Sequence, residues 1–255
     1  MNPQISYRIW FSQRYGSTLL CKGLAQTGIM GNPVELFNLS EGETLSSTYG
    51  VKTYEELRRK LWRIGSGANG VFGMKQSMYG ANMKKLTQEL IKLKGLNEHQ
   101  PLEPEELFAG IFPNCKHIFM TRRNKVRQAV SWWKAINDQH WHLKKGTNFQ
   151  ESVGFYEQRY NFDAINHLFK EASLRECAIQ AYFTQHHTTP LTIVYEDFIQ
   201  NYEATIREVI EFVGVRSENV KIDEPYYQPT ATPGSEMWVQ RFRKELQENM
   251  GIDIW

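Results

Sequence analysis

Cysteine is scarce. Cys21, Cys115 and Cys177 are spread over 255 positions without a C-x-x-C pair. An odd, scattered set excludes a disulfide framework and suggests reduced thiols in a cytoplasmic protein. Long apolar runs are missing too: no stretch approaches the roughly 20 apolar residues of a membrane span. The N-terminus lacks a basic-then-apolar leader, and Arg8 and Arg14 flank its one apolar run. A dominant charge is absent as well. Thirty Lys and Arg oppose 28 Asp and Glu, a formal net charge of +2. No global basic field therefore draws nucleic acid or anionic lipid, and any polyanion must be held by a local cluster. The histidines have no metal spacing: His140 and His142 flank Trp141, and His186–His187 is a bare pair. No metal is expected.

What is present suits an α/β protein. An apolar share of 41%, with 14 Phe, 12 Tyr and 7 Trp, can bury a sizeable core in one domain spanning 1–255. Short apolar segments at 5–11, 70–75, 116–121 and 191–198 read as buried strands. Helical patterns cover 17–26, 80–94, 104–111, 124–136, about 151–185, 202–214 and 235–250, with Gly28 suited to close the first. Thr53 and Glu56 have capping-box spacing and open a further helix towards Trp62. Segments 38–52 and 137–150 read as mobile loops. Strands alternating with helices predict a mostly parallel central sheet flanked by helices on both faces.

The stretch "SQRYGSTLL" (12–20) carries the first functional signal. Ligands of such sheets bind beyond the carboxyl ends of the strands. A strand–loop–helix junction there offers free N–H groups and a positive helix end to a phosphate or sulfate. Gly16 permits close approach, Ser17 and Thr18 add hydroxyls, and Arg14 adds a charged fork. On its own the triplet fits a plain helix cap equally well. It is not the NTPase P-loop, whose lysine follows the second glycine.

"MTRRNKVRQAVSWW" (120–133) repeats the design, with Ser131 eight residues after Arg123. Two helical turns separate the pair, so both can face one spot at the helix start, where a second phosphate would sit. A solvated basic face over a buried Val126–Val130–Trp133 stripe is the plainer interpretation. Trp132, Trp141 and Trp238 are the aromatic candidates for stacking on a base or sugar.

Together these two junctions resemble the 5′-phosphosulfate loop and 3′-phosphate motif of sulfotransferases that use 3′-phosphoadenylyl sulfate (PAPS). "TGIMGNPVELF", "GVFGMK", "VYEDF" and "EMWVQRFR" follow in the order seen in bacterial carbohydrate sulfotransferases, so the resemblance covers about residues 5–245. It implies a P-loop-NTPase-like sulfotransferase fold, a PAPS co-substrate, adenosine 3′,5′-bisphosphate as product and no metal. It further implies a carbohydrate or glycolipid acceptor and a homodimer.

The resemblance also distributes roles. Arg14, with the N–H groups of Gly16, Ser17 and Thr18, would hold the 5′-phosphate and leaving oxygen. Arg123 and Ser131 would hold the 3′-phosphate, with Arg122 as second candidate. Glu35 of "PVELF" matches the family's general base, a histidine being the alternative, and His140 is a further candidate for the acceptor pocket. Lys75, at a strand's carboxyl end, would touch sulfate or acceptor, unless it is a snorkelling lysine. Of Arg241 and Arg243, at most one faces the nucleotide, Arg241 being preferred. Tyr15 departs from the family pattern, which has a small serine there; it would crowd the sulfate pocket or stack. A P-loop-type nucleotide phosphotransferase and a non-catalytic nucleotide- or sugar-binding module are the alternatives.

Overall fold

A computed structural model describes residues 2–77, 80–96, 104–148 and 154–255. The elements run β1 (Ile5–Phe11), α1 (Ser17–Gln26), α2 (Leu45–Tyr49), α3 (Tyr54–Gly65), β2 (Val71–Ser77), α4 (Gly80–Leu93), α5 (Pro104–Ala109), β3 (Cys115–Thr121) and α6 (Lys125–Asp138). They continue with β4 (Leu143–Lys144), α7 (Phe155–Arg159), α8 (Phe162–Gln185), β5 (Leu191–Val194), α9 (Tyr195–Gln200), α10 (Tyr202–Val213), β6 (Tyr227–Gln228) and α11 (Pro233–Met250).

Four strands form a parallel sheet in the order β2-β1-β3-β5. β1 is central because its side chains suit burial on both faces. Tyr7, Ile9 and Phe11 pack with Leu20 and Leu24 of α1 and Ile206 and Ile210 of α10. Trp10, on the opposite face, packs with Phe119 and with Ile179 and Phe183 of α8. A second core under β2 gathers α3, α4 and α5, and a third joins α6, α8 and α11. The predicted capping box is formed: Thr53 Oγ1 accepts from Glu56 N–H while Glu56 Oε2 accepts from Thr53 N–H.

Arg8 interrupts the apolar logic of β1, being 1% exposed. Its guanidinium lies 4.3 Å from the Trp10 ring and 4.7 Å from the Phe108 ring. It donates to Gln76 Oε1 at 2.8 Å and lies 3.8 Å from Glu105. The cation is thus boxed by aromatic faces and tied to polar partners, as a buried charge requires.

Four expectations need correction. The fourth strand ends at Val194, and "YEDF" opens helix α9 instead. Glu196 and Asp197 are poor strand residues and sit favourably in a helical first turn. Segment 38–52 contains α2, opened by a Thr44–Ser47 capping box and closed by Gly50. In segment 137–150, Leu143 and Lys144 form β4, which pairs antiparallel with β6; residues 149–150 lie outside the described set. The long helical region divides into α7 and α8 around Tyr160 and Asn161, and its residues 151–153 are likewise outside.

Candidate active site

The carboxyl ends of all four parallel strands open onto one cavity of about 630 Å³. β1 leads into residues 12–16, where Arg14 (φ 67°) and Gly16 (φ 79°) are both left-handed. Gly16 serves as N-cap of α1 without a side-chain cap, and the first turn holds no acidic residue. Its N–H groups and positive end therefore have no anionic side chain of that turn to satisfy them. Glycine is required at 16 for a second reason: a Cβ there would come within 2.7 Å of the Tyr195 ring.

Arg14 ties three segments together. Its Nε donates to Ser131 Oγ at 2.9 Å, Nη2 donates to Thr230 Oγ1 at 2.8 Å, and Nη1 donates to the Trp141 carbonyl. Burial, and then the Arg122 cation, lower its pKa to about 10, so it stays charged at neutral pH. Arg122 donates to the Arg14 carbonyl at 3.2 Å and stacks 4.6 Å from the Tyr195 ring. Burial likewise lowers the Arg122 pKa.

Across the cavity, Lys75 leaves β2 with its side chain 12% exposed. Its Nζ donates to Thr18 Oγ1 at 3.1 Å and lies 3.3 Å from Glu35 Oε2. Glu35 is placed by a bridge between Val34 and Met74 that docks its loop along β2. A carboxylate, an ammonium and the α1 N-terminus thus converge. The arrangement offers a proton acceptor beside a cluster of donors for spreading negative charge.

The structure brings together Arg14, Gly16, Ser17, Thr18, Glu35, Lys75, Arg122 and Ser131 on this one cavity. Several candidates stand apart from its lining. Tyr15 is fully buried, and its hydroxyl turns inward to Glu176, so its side chain neither crowds the pocket nor stacks in it. Arg123 faces outward in a fork with Asp197, both half-exposed. The N–H groups of Arg123 and Asn124, at the start of α6, already donate to Glu196. The helix start is therefore not open to a second phosphate, and Ser131, two turns on, meets Arg14 instead of Arg123. Arg241 lies over the Tyr160 ring at 3.8 Å and pairs with Glu245.

Trp238 is a core residue, 2% exposed, whereas Trp132 and Trp141 line the cavity. Sequence reasoning missed Arg127, Lys134, Arg175 and Tyr195, which also line it. Arg127 and Lys134 fall at helical spacing on either side of Ser131, a signal that was available. Arg175 and Tyr195 arrive from distant elements and carry no such signal. His142 lines the cavity and His140 does not; His140 instead bonds back to Asp138. Among the described residues, no cluster of His, Cys, Asp and Glu is set to hold a metal, and no helix is long and apolar enough to cross a membrane.

A parallel sheet whose strand ends present an uncapped helix, clustered cations and the Glu35 carboxylate suits an enzyme that transfers an anionic group. The family model described as Stf0 sulphotransferase matches residues 6–245, and the chain belongs to that family of sulfotransferases. It is 25% identical to the trehalose 2-sulfotransferase of Mycolicibacterium smegmatis, over 96% of each chain. With the trehalose 2-sulfotransferase of Mycobacterium tuberculosis it shares 24% identity over 94% of each chain. A crystal structure of a sulfotransferase from Alicyclobacillus acidocaldarius has a TM-score of 0.48 at 14% identity, covering 100% of this chain and 98% of that one. The sulfotransferase domain of the Synechococcus PCC 7002 olefin synthase has a TM-score of 0.39 at 15% identity, covering 100% and 97%.

Proposed function

We propose that this sulfotransferase moves a sulfuryl group from PAPS to a hydroxyl of a carbohydrate or glycolipid, trehalose being the first acceptor to try. The observation that carries the reading is the contact of Lys75 with both Thr18 and Glu35. It joins an anion-binding loop to a proton acceptor across a distance that one reacting group can bridge. Gly16 supports the donor assignment, since as N-cap of α1 it leaves the first N–H groups of the helix without a side-chain cap.

In this reading the acceptor oxygen attacks sulfur as Glu35 takes its proton. The bond from sulfur to the bridging oxygen breaks, and its electron pair leaves with adenosine 3′,5′-bisphosphate. Arg14 and the N–H groups of Gly16, Ser17 and Thr18 receive the charge on the leaving phosphate. Lys75 follows the sulfuryl oxygens, and Arg122, which lines the same cavity, holds the 3′-phosphate, while Ser131 steadies the Arg14 guanidinium. In-line transfer of this kind needs positioning and charge stabilisation more than covalent help from the protein. The free thiols suit a cytoplasmic enzyme, read here as one domain and a homodimer.

The test is incubation with ³⁵S-labelled PAPS and a panel of sugars and glycolipids that includes trehalose. The wild type should label a hydroxylated acceptor. Glu35→Gln should lose turnover by roughly 100-fold or more while still binding the nucleotide product. Equal labelling by both proteins would remove Glu35 from the chemistry.

A further inference from the structure

Glu176 of α8 takes no part in the transfer described above, yet it reaches the loop that makes transfer possible. Its carboxylate accepts from the Tyr15 hydroxyl, from Lys125 Nζ, and from Thr121 Oγ1 at 2.9 Å. Lys125 Nζ also donates to the Tyr15 hydroxyl and to Thr121 Oγ1, each at 3.2 Å. The Glu176 and Lys125 side chains are 15% and 24% exposed, so the network is largely withdrawn from water. Burial, and then the Glu176 carboxylate, push the Tyr15 phenol upward, which keeps its hydroxyl a donor.

The place of Tyr15 in the chain gives this network its consequence. Its neighbours Arg14 and Gly16 are both left-handed, at φ 67° and 79°. A non-glycine residue in that region is strained and persists only where its surroundings fix it. Three ties fix it here. Gln128 Nε2 donates to the Gln13 carbonyl at 2.9 Å, and Arg122 donates to the Arg14 carbonyl at 3.2 Å. The third is the Tyr15 side chain, sunk in the core and closed at its tip by Glu176.

We propose that Glu176 is a positioning residue for sulfuryl transfer. By receiving the Tyr15 hydroxyl, with Lys125 balancing its charge, it sets the turn that aims Arg14 and the N–H groups of Gly16, Ser17 and Thr18. The inference rests on reading that loop as the donor site. Its magnitude follows from geometry, since a misplacement of about 1 Å can cost on the order of 100-fold in rate.

The test uses Tyr15→Phe, which keeps the ring, Glu176→Gln, and the double variant. For each, kcat, the KM for PAPS, calorimetric binding of adenosine 3′,5′-bisphosphate and Tm are measured. Each single variant should lower kcat by roughly tenfold, well below its melting temperature, with acceptor KM within about twofold. The double variant should be no worse than the worse single one, because phenylalanine removes the donor of this hydrogen bond and glutamine the charge of its acceptor. Thr121→Val, which removes one donor and keeps the shape, should give a smaller loss of the same kind. A lowered Tm with kcat intact at low temperature would overturn the proposal, as would losses that multiply in the double variant. If the wild type takes up no adenosine 3′,5′-bisphosphate, the donor reading fails and this role falls with it. If it binds and the variants turn over normally, the positioning role alone fails.

Discussion

Replacing Gly16 with alanine isolates what the loop requires. Alanine at φ 79° is strained by roughly 1 kcal/mol relative to glycine. Its Cβ would also lie 2.7 Å from Tyr195 Cδ2 and 3.0 Å from Cε2. That ring cannot yield freely, because Arg122 stacks on it at 4.6 Å. Overpacking of this kind adds about 1–3 kcal/mol. Gly28 is the matched control: it too is left-handed, at φ 73°, but a Cβ there meets nothing within 4 Å. Gly28→Ala should lose about 1 kcal/mol, a fall of roughly 2–4 °C in Tm. Gly16→Ala should lose roughly twice that or more and, by moving the α1 N–H groups, turn over about 100-fold more slowly. Calorimetric melting and steady-state sulfuryl transfer read the two effects separately. If Gly16→Ala melts with Gly28→Ala and turns over like the wild type, the account of this loop is wrong.

Three further outcomes follow from the same geometry. Arg122→Ala should weaken binding of adenosine 3′,5′-bisphosphate by tenfold or more in calorimetry, because a charge-assisted bond is worth about 1.5–3 kcal/mol. Arg123→Ala removes an exposed pair with Asp197 outside the cavity lining, so nucleotide binding should stay within a few-fold of wild type. His117 Nδ1 accepts the Trp10 indole N–H at 2.9 Å, and burial lowers its pKa to about 4. The unfolded chain therefore holds more protons between roughly pH 6.5 and 4, and stability falls as pH drops through that window. Denaturant midpoints should show the loss, and His117→Asn should reduce it, with His142, also lowered to about 4 by burial, keeping its own share.

Much of this arrangement could be read from the chain because local and tertiary signals agree. Buried parallel strands need continuous apolar runs, and the runs containing Ile9, Met74 and Ile118 became three neighbouring strands. Thr53 with Glu56 caps a helix through contacts within one turn. The failures occur where a distant partner decides. "VYEDF" looks extended until Glu196 is seen gripping the start of α6. Tyr15 looked like an intruder in the pocket because nothing nearby announces Glu176, 161 residues away. Arg123 and Ser131 have the spacing of a pair, but Asp197 draws one outward while Arg14 engages the other. Strands β4 and β6 contribute two residues each and have no periodicity to detect.

The most direct measurement is calorimetric titration of adenosine 3′,5′-bisphosphate into the wild type and into Arg14→Ala. The account predicts one site per chain in the wild type and a loss of at least tenfold in affinity when the Arg14 guanidinium is removed. Equal affinity in the two proteins, or no uptake by the wild type, would contradict it.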